Sequence, residues 1–207
     1  EALSFGVVLT VGSVMLMGLA VNWVAAGLLA LASFVYVFVY TIWLKRRTPQ
    51  NIVIGGASGA FPPMIGWAAV TGEVSIASII LFLLIFMWTP PHFWALALFR
   101  NGDYAKAGVP MLPVVSGERE TKKQMLIYTL LLFPIAVAPY FVGIAGLAYL
   151  AGSVVLGGLF VALAVQVWYD RTDKAAKQMF VFSILYLFLL LSLLIGEQLA
   201  GPLARLP

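Results

Sequence analysis

The sequence predicts an all-α fold, a polytopic membrane helical bundle with seven transmembrane helices in this chain. Three observations carry that reading. Of 207 residues, 63% are hydrophobic and only 10% are charged, and the mean hydropathy is +1.04. A soluble domain carries roughly 45–50% apolar and about 25% charged residues. The apolar residues fall in long continuous runs, not in the alternation that a membrane barrel requires. Finally, the basic residues cluster in every second connection between those runs. The same figures exclude a soluble globular domain and a disordered chain, and Gly and Pro are scattered without a collagen-like period. There is no cysteine, hence no disulfide framework and no thiolate metal site.

The runs define the elements in order: about Leu3–Ala20, Val24–Leu44, Ile52–Val70, Ser75–Phe99, Met125–Val142, Ala145–Trp168 and Met179–Leu199. Each is near the 20 or so residues that cross a bilayer. Asn22, Thr48-Pro49, Thr71-Gly72, Gly102, Gly117 and Gly143 supply turn signals between them. Lys45, Arg46 and Arg47 follow the second run. Arg100, Lys106, Arg119, Lys122 and Lys123 follow the fourth, and Arg171, Lys174 and Lys177 follow the sixth. Only Arg205 falls on the other side. The positive-inside rule then places the basic loops on the cytoplasmic or matrix side, in a bacterial cytoplasmic or mitochondrial inner membrane. The net charge of +4 is accounted for by topology and does not call for nucleic acid. The stretch from about Arg100 to Gln124 is the longest connection and holds most of the polar residues, so the chemistry is expected there. No internal repeat and no separate soluble domain is evident.

Two runs contain proline pairs, Phe61-Pro62-Pro63 and Trp88-Thr89-Pro90-Pro91-His92. Proline removes a donor and crowds the preceding turn, so each pair is expected to kink or break its helix. Both lie roughly 15 Å from the basic side at about 1.5 Å per residue. Broken backbone at that depth is tolerated where it lines a cavity or is buried in protein. Gly55, Gly56, Ser58, Gly59 and Gly66 in the third run suit close helix packing better than ligand binding.

Few polar side chains remain to carry chemistry. Gln50 and Asn51 enter an apolar run just after Lys45-Arg46-Arg47, where an amide needs a partner. That segment reads either as a topology anchor with a turn or as an anion-binding edge. His92 is the single histidine, and an ionisable residue inside a membrane helix is a functional candidate by default. A helix continuing to Asp103 would put His92 and Asp103 on one face, unless Gly102 interrupts it. Asp103, before Tyr104 and Lys106, reads as a solvated carboxylate or as one ligand of a Mg²⁺ ion shared with substrate phosphates. Trp88, Phe93 and Trp94 flank the second proline pair and could line a pocket. Asp170, Arg171, Asp173, Lys174 and Lys177 read as a solvated loop, and Glu73 and Glu197 as incidental.

Four stretches resemble a known family. They are Trp88-Thr89-Pro90-Pro91-His92-Phe93-Trp94-Ala95-Leu96-Ala97, Tyr40 to Asn51 (YTIWLKRRTPQN), Asn51 to Pro63 (NIVIGGASGAFPP) and Asp103 to Val114 (DYAKAGVPMLPV). Over about Tyr40–Ser116 the chain closely resembles the UbiA-type intramembrane prenyltransferases, in their haem-farnesylating branch. The resemblance implies a nine-helix fold around a cavity open to the basic side, of which this chain would be the C-terminal seven-helix part. The chain opens on Glu1 directly into an apolar run, and the first two helices and first acidic motif of the family would precede it. The second acidic motif maps onto Asp103 in reduced form, with Phe99 where richer versions carry another Asp. The implied reaction moves a farnesyl group from farnesyl diphosphate to a vinyl group of protohaem IX (haem b), giving haem O. Mg²⁺ is the implied cofactor. His92, Asp103 and Tyr104 are the implied catalytic residues, with Asp103 on the metal. Lys45, Arg46, Asn51, Arg100 and Lys106 would hold diphosphate or haem propionates. His92 could ligate haem iron or act as a base. Haem A synthase or a terminal oxidase are implied partners. A prenyltransferase acting on a quinone-ring precursor and a broken-helix transporter are the rival readings.

Overall fold

The structure is a computed structural model and describes residues 1–203. Arg205, the one basic residue expected on the opposite side, lies outside the described residues. Helix α1 runs Ala2–Ala20. Helix α2 starts at Trp23, is α-helical to Phe34 and continues as a π-helix over Val35–Leu44. Then follow α3 (Asn51–Thr71), α4 (Ile76–Phe99), the short α5 (Asn101–Lys106), α6 (Leu112–Phe141), α7 (Leu147–Tyr169) and α8 (Lys174–Leu203). Six of these helices are long and apolar enough to cross a membrane, and Ser4–Ala20 is a shorter apolar helix. The seven apolar runs therefore each become a helix, and the chain is an integral membrane protein.

The helix ends are set by polar residues. Asn22 accepts the Ala25 N–H at 2.9 Å, capping α2, and its amide donates to Ala68 O at 2.8 Å, closing the end of α3. Ser75 and Ser78 form a reciprocal capping box at the start of α4. Glu197 is not incidental: its carboxylate accepts the N–H of Tyr149 at 2.9 Å and of Gly146 at 2.5 Å, capping α7 from the end of α8. A carboxylate at a helix N-terminus meets both the unpaired donors and the positive end of the dipole.

At the other end of the bundle, the basic segments come together. Lys122 donates to Asp170 O at 2.7 Å, joining the start of α6 to the end of α7. The Lys177 ammonium lies 5.7 Å from the centroid of Phe99, joining α8 to α4. Asp170 accepts from the N–H groups of Thr172 and Ala175, both at 2.8 Å, and so shapes the α7–α8 turn.

The core lies among α4, α6, α7 and α8, around Leu84, Trp94, Met125, Leu132, Tyr149, Phe160, Met179 and Tyr186. Lipid tails are as apolar as leucine, so helix association depends on close packing. Small residues supply it. A Cβ on Gly157 would stand 2.8 Å from Phe133 Cδ2, and one on Gly56 would stand 2.8 Å from Thr89 Cγ2. Some polar groups in the core bond internally, Tyr149 Oη donating to Ala136 O at 2.9 Å and Thr129 Oγ1 to Met125 O at 2.8 Å, whereas Trp94 Nε1 and Tyr186 Oη are buried without a partner among the described residues.

Three expectations are corrected. The proline pairs do not break their helices; α3 and α4 run through Pro62-Pro63 and Pro90-Pro91. The proline φ is itself helical, and bends with side-chain hydroxyls nearby can absorb the missing bonds. The carbonyls left without an N–H by the second pair are those of Phe86 and Met87; just before them Thr89 Oγ1 back-bonds to Ile85 O at 2.8 Å, a contact that often accompanies a bend. Next, α4 ends at Arg100 (φ −112°, ψ 19°), so His92 and Asp103 do not share a continuous helix. Last, the long connection is mostly helical: α5 fills its first part, and α6 begins at Leu112 and turns at Gly117, where φ is +81°. Only glycine enters that region at little cost.

Candidate active site

A cavity of about 380 Å³ lies between the π-helical half of α2, α3 and α4. That is within the roughly 300–1,000 Å³ of small-molecule sites. Each wall follows from helical spacing. Ile85, Trp88, Thr89 and Phe93 recur at three- and four-residue steps along one face of α4. Ile52, Gly55, Gly56 and Gly59 do the same on α3, and Tyr36, Tyr40 and Lys45 come from α2 and its end. The glycines keep the third wall thin, since a Cβ on Gly55 would overlap the Tyr40 ring. The walls are apolar and aromatic, and Lys45 is the charged lining residue, its ammonium 5.9 Å from the Tyr40 centroid.

A larger hollow of about 720 Å³ lies between α1 and α2. It has aliphatic and aromatic walls and no charged side chain. The hydroxyls of Thr10 and Ser33 are spent on their own helices, and Tyr36 is the third hydroxyl-bearing residue of its wall. Nothing there could hold an anion, so the smaller cavity is the better site despite its size.

The other expected site residues do not line this cavity. Asn51 is buried (1% exposed) and does not face bulk solvent as an anion donor. Its amide donates to Thr48 O at 2.8 Å and reaches Lys45 O at 3.4 Å, so it shapes the turn that carries Lys45. Its Oδ1 is buried without a partner among the described residues. Tyr104 is half-buried against Ile52, Ala97, Met111 and Val109, so α5 is seated beside the Ile52 edge of the cavity. Burial, and then the neighbouring Asp103 carboxylate, push the Tyr104 phenol above its usual range, which keeps it a proton donor. Asp103 is exposed and pairs with Arg100 at 3.2 Å, an arrangement open to solvent at both ends. Lys106 and Arg46 are exposed on the same end and line no cavity wall.

His92 is not among the cavity-lining residues. It lies behind them, with Trp88 stacked at 4.3 Å and Phe180 at 4.8 Å between ring centroids, and Nδ1 2.6 Å from Ser183 Oγ. Phe93, a lining residue, meets it edge-on at 5.1 Å. Trp88 and Phe93 line the cavity as expected, whereas Trp94 turns into the core against Tyr128. Two functional contributions were not read from the sequence. Tyr36 and Tyr40, one π-helical turn apart, looked like part of an apolar run; their hydroxyl-bearing rings were the available signal. Ser183 is one of two serines in an apolar run and gave none.

No group of three or more His, Asp or Glu that could hold a metal occurs among the described residues. An all-protein metal cage is therefore not formed by them. Asp103 is an exposed carboxylate of the kind that Mg²⁺ usually takes singly or in a pair, completed by phosphate oxygens.

The chain is similar to proteins named protoheme IX farnesyltransferase. That of Parvibaculum lavamentivorans is 62% identical over 205 residues, 97% of this chain and 64% of that protein. That of Novosphingobium aromaticivorans is 55% identical over 205 residues, 97% of this chain and 67% of that protein. The chain thus spans about two thirds of the length of these relatives. Among solved structures, a digeranylgeranylglyceryl phosphate synthase superposes with a TM-score of 0.81 over 95% of this chain and 69% of that one. At 19% identity this likeness concerns the fold. The description of one family fits residues 1–193. With its bundle of apolar helices around an aromatic-walled hollow, the chain belongs to the UbiA prenyltransferase family.

Proposed function

We propose that the chain transfers a farnesyl group from farnesyl diphosphate to a vinyl group of protohaem IX, giving haem O. The observation that carries this reading is the cavity: an aromatic, greasy chamber with one ammonium, Lys45, in its wall. A long allylic diphosphate needs both features. Its chain requires apolar walls, and its leaving group requires positive charge, which is worth most where water is excluded. High identity to proteins named for haem farnesylation supports this acceptor over a quinone-ring precursor. No inverted repeat supports the transporter reading.

The chemistry balances as follows. The allylic C–O bond breaks, and diphosphate leaves with the electron pair, held by Lys45 and by Arg46, Arg100 and Lys106 at the mouth. The faces of Tyr36, Tyr40, Trp88 and Phe93 stabilise the allylic cation. The vinyl π electrons then form the new C–C bond. Water captures the resulting cation and releases a proton, leaving a hydroxyl. Mg²⁺, where bound, would be held by Asp103 and would add charge neutralisation on diphosphate. Asn51 serves by fixing the Lys45 turn, and Tyr104, kept protonated, by donating a hydrogen bond at the cavity edge. His92 serves the porphyrin, on iron or as a proton acceptor. In this proposal the basic end faces the cytoplasm of a bacterial cell, where both substrates arise, and a haem A synthase or terminal oxidase would receive the product.

Mass spectrometry of the product tests the proposal. Membranes containing the protein, given farnesyl diphosphate and haem b, should yield haem carrying a hydroxylated farnesyl. A prenylated aromatic acid as the sole product, or substrate flux without a covalent product, would overturn it. The same assay run against Mg²⁺ concentration should show a higher requirement for Asp103→Asn, and identical curves would remove Asp103 from the metal.

A further inference from the structure

Ser183 joins α8 to two residues of α4 at once. Its backbone carbonyl accepts the Trp88 indole N–H at 2.8 Å, and its hydroxyl oxygen lies 2.6 Å from His92 Nδ1. Trp88 and His92 are four residues apart, so they stand one above the other on one face of α4. Ser183 is itself fully buried. A serine hydroxyl has a single proton. Here that proton is directed at Phe180 O, 2.6 Å away, the local back-bond of a serine inside an apolar helix. The oxygen therefore presents lone pairs to His92. Two lone pairs at 2.6 Å would repel, so the imidazole proton belongs on Nδ1, donating to Ser183 Oγ. A neutral imidazole has only one N–H, which leaves Nε2 bare. Among the described residues Nε2 has no hydrogen-bond partner. Trp88 and Phe180 stack on the ring, at interplanar angles of 16° and 22°. With both faces taken and Phe93 meeting the ring edge-on at 5.1 Å, a further contact must use the ring's remaining edge, where Nε2 is the polar atom without a partner among the described residues.

We propose that Ser183 is the positioning residue for His92: it holds the ring as the Nδ1–H tautomer, clamped between Trp88 and Phe180, and so presents Nε2 as an unprotonated nitrogen. An unprotonated imidazole nitrogen is the form able to accept a proton or to ligate a haem iron; the opposite tautomer can do neither through that edge. The inference deepens the role given to His92 above and rests on that reading for its functional meaning, but the tautomer itself does not.

The chain has a single histidine, so ring ¹⁵N labelling gives one pair of signals. In detergent or lipid at pH 8, Nδ1 should resonate as a protonated, pyrrole-like nitrogen and Nε2 as a pyridine-like one. The reverse assignment would overturn the proposal. Ser183→Ala keeps the carbonyl that anchors Trp88 and removes only the acceptor. The Trp88 indole signal should stay, while the gap between the two His92 nitrogens collapses or inverts. Ser183→Thr should restore the wild-type pattern. An unchanged His92 pattern in Ser183→Ala would also overturn the proposal. Turnover of the same variants separates the two readings. A fall of about tenfold or more in Ser183→Ala, reversed in Ser183→Thr, supports both. A tautomer change with no change in turnover sustains the Ser183 assignment and removes His92 from the reaction.

Discussion

Helix α4 has two neighbourhoods, and they are built on opposite principles. One face carries Trp94, Ala95 and Leu98 into the core shared with α6, α7 and α8, where side chains are close-packed and most hydroxyls bond their own helices. The other face carries Ile85, Trp88, Thr89 and Phe93 along a hollow closed by α3 and the π-helical half of α2. There small residues thin the wall and the backbone leaves the ordinary helical repeat. π-helical turns gather where function competes with packing. The packed side fixes α4 so that the open side can keep its shape. His92, joined to α8 through Ser183, lies at the border between the two.

Substitutions at three positions set the sides apart. Lys45→Ala should lower turnover by about tenfold, less than the roughly 10²-fold of a contact in a dry site, because the ammonium at the cavity wall is solvent-exposed. Because Lys45 is exposed and packs little, the thermal midpoint should stay near wild type. Lys45→Arg should recover part of the activity by keeping the charge. Unchanged turnover in Lys45→Ala would mean that the hollow is not where diphosphate leaves. Leu132→Ala is the mirror experiment. Leu132 is 1% exposed in the core. Its truncation leaves a void and should cost about 2–4 kcal/mol of stability. Phe93→Ala, on the cavity side and 36% exposed, should cost less than half as much while altering turnover. Equal losses of stability would erase the distinction between a packed side and an open one.

Much of this was legible in the sequence. Seven apolar runs gave seven apolar helices because a bilayer demands about 20 apolar residues per pass whatever the packing. The basic clusters at Lys45–Arg47, Arg100–Lys106 and Arg171–Lys177 marked one end, since charge cannot be distributed freely along such a chain. Of Trp88, Phe93 and Trp94, read as candidates to line a pocket, the first two do so and Trp94 turns into the core. What was not legible depends on distances between helices. Proline pairs looked like breaks because the ring penalty is local, while the groups that relieve it come from the fold. Asn51 looked like a ligand-binding amide, because its Thr48 O partner becomes visible only when the turn is closed. The π-helix at Val35–Leu44 has no periodicity that a run of aromatic and β-branched residues could reveal. Glu197 looked incidental because its partners, Gly146 and Tyr149, are about fifty residues away.

The smallest expected effect lies at the basic end of the packed side. Hydrogen bonds from the backbone of Ala175 and then Thr172 hold the Asp170 carboxyl below its usual value. An unfolded aspartate titrates near 3.9. With the folded value lower, the α7–α8 turn has its full stabilisation above about pH 3.9 and loses it as pH falls through the folded value. The carboxylate is exposed, so the change should be small, on the order of 1 °C in thermal midpoint for a chain of this size. Asp170→Asn keeps an acceptor oxygen but has no proton to gain, so its midpoint should fall less between pH 6 and pH 3 than that of the wild type. The difference between the two proteins cancels the other carboxylates, which titrate in both. Parallel curves would show that this turn is held by Lys122 and its bond to the Asp170 carbonyl, which has no titration in that range.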